Sequence, residues 1–150
     1  MPTFRDVRAR FQINGFQCHH LIPVEVSNMT AFRPFFVKLR SHGFDPDNFQ
    51  SNGMHLPCRE KMAQAFGLPL HRGPHPAYNQ MVAERLSAIS VMSEHESCTQ
   101  LTKFLKDLRA GLRACPAVDM IGCRKPFQPT VDMRKLDSDV EFLFRFTQLQ

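Results

Sequence analysis

The chain contains no CxxC pair, and its five cysteines, Cys18, Cys58, Cys98, Cys115 and Cys123, form an odd set. That pattern argues against a disulfide scaffold and against a cysteine-only zinc site. The thiols read instead as reduced, semi-buried small apolar groups. No apolar run approaches the ~18 residues of a membrane span, so none is expected. The opening "MPTFRDVRARF" carries charge from its start and has no apolar stretch of the kind a cleavable leader needs. No signal peptide is therefore expected. Internal repeats and low-complexity segments are missing. So is His-Glu-x-x-His, the helical pair of the zinc proteases.

What remains is a basic chain of 150 residues, 43% apolar, with a net charge of +5. The length suits one domain, or one small catalytic unit with an appendage, and the apolar share allows a core without staples. The charge favours acidic partners such as nucleic acid.

Two adjacent histidines stand in "FQCHHLIPVEV", a run with strand character that Pro23 stops or bends. "TAFRPFFVKLRSHG" predicts a short helix, with Thr30 as its N-cap, Phe32, Phe35, Phe36 and Leu39 at helical spacing, and Gly43 as its stop. "DPDN" predicts a turn, "NGMHLP" (52–57) a turn into a second strand, and "REKMAQAFG" two helical turns ending at Gly67. Pro76 fits the first position of a helix striped by Tyr78, Met81, Val82, Leu86 and Ile89. "TQLTKFLKDLRAGLRAC" predicts an amphipathic helix, with Leu101, Phe104, Leu105, Leu108 and Leu112 on one face and Pro116 beyond its end. Residues 116–136 read as irregular and basic. "DSDVEFLFRFTQLQ" fits a strand by its alternating phenylalanines and a helix by its other spacing; we favour helix. The expected class is α+β, a two-stranded hairpin packed on a helix with additional helices. We divide it into a core at 1–96 and a mostly helical C-terminal extension packed on that core at 97–150.

Four of the seven histidines fall in two groups, His19-His20 and His71-x3-His75, with Asn52 between them. Neighbouring strand residues point to opposite faces. One imidazole of a pair can therefore serve a metal while the other serves a water. Metal-assisted phosphodiester hydrolysis needs that division, because charge must be neutralised on one side of the phosphate and water activated on the other. The base must also be held in one tautomer, which calls for a carbonyl acceptor on its second nitrogen.

In the order "CHHLIPVEV", "FDPDNFQSNGMHLP", "LPLHRGPHPAYNQMVAERL", the chain resembles the AHH branch of the HNH/endonuclease VII (ββα-metal) nuclease superfamily, over about residues 11–90. Cys18 stands where that branch usually has alanine. The resemblance implies an HNH-like core and a divalent-metal endonuclease, with DNA expected before RNA and products carrying 5′ phosphate and 3′ hydroxyl ends. His19 then resembles a metal ligand, His20 the general base, and Asn52 the residue that ties the hairpin and orients the base. His75 resembles the helix-borne ligand. His71 resembles the extra histidine ligand of the DNase colicins, with phosphate contact or loop support as alternatives.

Arg72 and Tyr78 are candidates for substrate contact. Arg72 can clamp phosphate or merely be solvated, and Tyr78 can hydrogen-bond the site or pack in its helix stripe. Imidazole ligation suits zinc, nickel or manganese, whereas magnesium prefers oxygen. The ion stays open between zinc and magnesium. The resemblance further implies a bacterial antibacterial toxin domain, secreted by a leaderless route or as part of a fused effector on a secretion-system carrier. It would act in the cytoplasm of a target cell and be neutralised by a cognate immunity protein. The competing reading is a non-catalytic, metal-stabilised module that binds nucleic acid or protein.

Overall fold

The computed structural model describes residues 1–114 and 134–148. A short helix α1 (Phe4–Arg10) leads into strand β1 (Phe16–His20). Helices α2 (Val24–Ser27), α3 (Arg33–Ser41) and α4 (Phe49–Asn52) follow, then β2 (Gly53–Pro57) and α5 (Glu60–Phe66). The long helices α6 (Pro76–Ser90) and α7 (Glu94–Arg113) come next, and α8 (Val140–Phe146) is the last described. The two strands pair antiparallel, with Phe16 opposite Pro57 and His20 opposite Gly53. This is the expected α+β architecture, a small hairpin set among helices.

The hairpin has two unlike faces. His19, Met54 and Leu56 turn inward and are buried against the core. Phe16, Cys18 and His20 belong to the other face, where cross-strand partners Cys18 and His55 approach with Sγ and Nε2 3.7 Å apart. α1 lies over that outer face. Its capping box joins Thr3 and Asp6, and its start is tied down where Phe4 N–H donates to the Asp47 carbonyl.

The expected apolar faces are the ones buried. Tyr78, Met81, Val82, Leu86 and Ile89 of α6 join Leu101, Phe104, Leu105, Leu108 and Leu112 of α7 in one core cluster. That cluster runs from Leu21 to Leu143, across both sides of residue 96. The ambiguous tail is helical, as favoured, and places Leu143 of α8 in the core.

Three local expectations are corrected. The first strand ends at His20, and the β-branched "VEV" beyond it is helical. Asn52 takes the backbone of Leu21 and Ile22 out of strand pairing, and Pro23 has no N–H to continue it. Thr30 does not cap α3. It opens a 3-10 turn, Thr30–Phe32, and Pro34 in the first turn of α3 removes a donor that a cap would otherwise satisfy. α7 starts earlier than expected, at a capping box between Ser93 and Glu96, which places His95 in its first turn. Of the irregular stretch expected at 116–136, residues 116–133 lie outside the described residues, and Pro116 with them.

Late residues brace early ones. Arg109 of α7 donates to the carbonyls of Gln50, Ser51 and Gly53, which holds the turn from α4 into β2. Buried Arg134 pairs with Asp139 at 2.6 Å and donates to the carbonyls of Gly67, Leu112 and Ala114.

Gly53 leaves no room for a side chain beside Phe49. A Cβ there would lie 2.5 Å from the Phe49 carbonyl oxygen and would also strike the Phe49 ring. Gly53→Ala is expected to destabilise the fold by about 1–3 kcal/mol, typical of overpacking, measured as a lower urea midpoint at unchanged m-value.

Candidate metal centre and base

His19 sits on the inner face of β1, only 2% exposed. His71 follows β2 and α5 in a loop, where its backbone N–H donates to the Pro57 carbonyl at 2.7 Å. His75 stands immediately before Pro76, the first residue of α6. Proline at that position ends the loop and starts the helix, which turns His75 back toward the hairpin. The three rings converge, with centroids 4.8 Å apart for His19–His71, 5.7 Å for His19–His75 and 5.4 Å for His71–His75. One nitrogen from each lies within 4.8 Å of the others. Zinc bonds of ~2.0–2.1 Å in a tetrahedron space ligand nitrogens about 3.4 Å apart, so small rotations would close this set on one ion.

The hydrogen-bond network fits such an ion. A carbonyl can only accept, so His75 donates Nδ1–H to the Gly73 carbonyl at 3.1 Å and keeps its lone pair on Nε2. Tyr78 gives its one hydroxyl proton to the Leu21 carbonyl at 2.9 Å. Its oxygen is then left to accept from His19 Nε2 at 3.3 Å, which leaves the lone pair of His19 on Nδ1. His71 Nδ1 is buried with no hydrogen-bond partner among the described residues. An orphaned buried nitrogen beside two oriented imidazoles makes a donor set that could hold a cation. A fourth position would remain for water or substrate, as in catalytic three-ligand zinc sites.

Electrostatics keep His19 and His71 neutral. Burial, followed by the proximity of His71, His75 and His20, holds His19 well below the usual imidazole range. His71 is brought down to about 4 by burial and then by His75. Neutral imidazole is the form that binds metal or accepts a proton.

His20 leaves the strand on the opposite face and is half-buried. Burial, then Arg8, then His71 lower its pKa to about 4. The carbonyl partner expected for the base is not present: neither ring nitrogen of His20 is hydrogen-bonded among the described residues. A stack holds the ring instead. Phe4 lies flat on it, centroids 3.4 Å apart and planes 10° from parallel, and Phe49 abuts Phe4 edge-on at 5.1 Å. His20 also lines a cavity of about 230 Å³ with Ser27, Arg40, Asp45 and Asp47, which gives water a way in.

Asn52 is fully buried. Its Oδ1 accepts from Ile22 N–H at 2.7 Å, and its Nδ2 donates to the carbonyls of Ile22 (3.2 Å) and Pro46 (2.8 Å). It therefore clasps the chain just after His20 to the start of β2.

A model of the AHH family, described as a nuclease family of the HNH/endonuclease VII superfamily with conserved AHH, matches residues 5–112. The chain belongs to this family. No curated protein and no solved structure matches it. The AHH match spans the double histidine, Asn52, both loop histidines and α7, and stops short of Phe4 and Asp137.

The two candidates for substrate contact fare differently. Tyr78 is corrected: with no exposed surface it touches no substrate, and it both packs in the α6 stripe and holds His19. Arg72 is exposed, 3.6 Å from Glu60 and within reach of the Cys58 carbonyl, free to be displaced toward a phosphate. Glu25 and Asp45 lie outside the histidine cluster, Glu25 bonded to Asn79 and Asp45 near Arg40.

Sequence reasoning missed Phe4, Arg109 and Asp137. Asp137 accepts the Tyr78 N–H at 2.9 Å and so anchors the tyrosine that orients His19. A signal for α1 existed in Thr3-x-x-Asp6; none marked the other two.

Two outcomes are expected. Tyr78→Phe removes both hydroxyl contacts and should weaken zinc affinity about tenfold by calorimetry with the fold retained. Metal-free protein should lose stability on acidification between pH 6.5 and about 4. His20 and His71 bind protons less readily folded than unfolded, so the unfolded chain holds more protons throughout that window and gains as pH falls. Urea midpoints at pH 7 and pH 5 check it; no change would contradict the burial of these rings.

Proposed function

We propose that the chain is a metal-dependent endonuclease acting on nucleic-acid phosphodiester bonds, with DNA preferred to RNA. The observation that carries this is one strand presenting two imidazoles to opposite sides. His19 meets His71 and His75 in a converging, oriented donor set, while His20 stands outside that set with water access. Family membership supports the reaction class. The resemblance of His71 to the extra histidine ligand of the DNase colicins favours DNA, and the all-nitrogen donor set favours zinc, nickel or manganese over magnesium.

When bound, a divalent ion supplies charge neutralisation at the scissile phosphate and the leaving oxygen. The rest falls to the chain. His19, His71 and His75 set the position of the phosphate. His20 takes the proton from the attacking water, its ring kept in place by Phe4 and its strand end by Asn52. A His pKa of about 4 keeps the base unprotonated at neutral pH.

The superfamily likeness also supports reading the chain as an antibacterial effector domain. It would be delivered without a cleavable leader or on a carrier, act in the cytoplasm of the target cell, and be restrained in the producer by an immunity protein.

Purified protein should nick plasmid DNA, lose that activity with chelator and regain it with zinc. His20→Ala should lower the rate ~10²-fold or more while retaining zinc affinity. Cleavage that survives both chelator and His20→Ala sinks the reading.

A further inference from the structure

A cleft of about 400 Å³ opens between α1 and the outer face of the hairpin. Arg8, Phe11, Phe16, Gln17, Cys18 and His71 are among its lining residues. It shares His71 with the candidate metal centre, so whatever fills it lies beside the bond to be cut. Its size is in the range of pockets that enclose one small organic group, ~300–1,000 Å³.

Its walls have a specific chemistry. Phe11 is 63% exposed although it is a large apolar ring at the end of α1, and Phe16, partly exposed and met edge-on by Phe66, lines the same cleft. Aromatic faces left open beside a phosphodiester site are stacking surfaces for bases. Gln12 and Gln17 offer both donors and acceptors, which is what reading a base edge requires. Arg8 brings the positive charge, and it acts on Cys18 and on His20 alike. Among the described residues, no carboxylate lines this cleft. The cavity beside His20, by contrast, carries Asp45 and Asp47 together with Arg40, which pairs with Asp45.

We propose that this cleft is a subsite for one unpaired nucleotide flanking the scissile phosphate, with the base against Phe11 and Phe16 and its phosphate on Arg8. The substrate is then single-stranded or locally melted nucleic acid. A base stacked and paired inside a duplex presents only its edge to a protein, and cannot lay its face on either ring. The proposal rests on the nuclease reading for the identity of the occupant, and on the cleft itself for its place. The thiol of Cys18 forms part of the floor; burial pushes its pKa up, so it serves as a small apolar surface.

The test uses the full chain with a fluorescein-labelled 12-nucleotide DNA single strand and the matching duplex. Cleavage and anisotropy binding are measured for wild type, Phe11→Ala, Phe11→Tyr and Gln17→Ala. Wild type should cleave the single strand at least tenfold more efficiently than the duplex. Phe11→Ala should raise KM and Kd for the single strand about tenfold, the worth of one base–aromatic stack. Phe11→Tyr should restore both, and Gln17→Ala should alter the ranking among homopolymer strands. Phe11 is exposed at the end of a helix, so its variants are expected to fold, as circular dichroism will show. Equal or faster duplex cleavage, or Phe11→Ala with unchanged KM and Kd, overturns the subsite while leaving the nuclease reading intact. A tenfold loss of single-strand binding in Phe11→Ala, in a protein that cleaves neither substrate, supports the subsite and overturns the nuclease reading instead.

Discussion

One buried carboxamide holds this molecule's chemistry in register. Asn52 satisfies both backbone groups of Ile22 and one of Pro46, and it has no exposed surface. Because it ends β1 at His20, the strand places His19 inward and His20 outward rather than running on. A one-residue slip in pairing would exchange the two faces and send the wrong imidazole to each side. The low dielectric around Asn52 makes a half-satisfied arrangement expensive, which is why such a clasp specifies one geometry.

Support for the two imidazoles then divides along the two faces. On the inner face it is polar and serial: Asp137 holds the Tyr78 N–H, and the Tyr78 hydroxyl holds both Leu21 and His19. On the outer face it is aromatic: Phe49 abuts Phe4, and Phe4 covers His20. Gly53 lets that second arrangement exist, since any side chain there would occupy the space of Phe49. A stack constrains the plane of a ring without occupying its nitrogens. That suits a group which must exchange a proton, whereas hydrogen bonds suit a group which must keep one tautomer.

Much of this could be read from the chain alone. His19, His20, Asn52, His71 and His75 were identifiable because their order and neighbours are specific, and Pro76 marked where α6 begins. The buried faces of α6 and α7 followed from periodicity. "VEV" after Pro23 did not, because its β propensity yields to the tertiary capture of Ile22 by Asn52. Arg109 lies between hydrophobic stripe positions and looks like any solvated arginine on an amphipathic helix; only the folded chain shows the three carbonyls it reaches. Tyr78 illustrates the limit best. Its spacing placed it correctly in the core stripe, but which way its hydroxyl proton points is decided by a carbonyl 57 residues earlier.

The brace formed by Arg109 carries a consequence for the order in which the protein is made. His19, His20, His71 and His75 all leave the ribosome before the guanidinium that fastens the turn next to Asn52, and Asp137 emerges later still. A growing chain thus carries every reactive ring while lacking the fastenings that aim them.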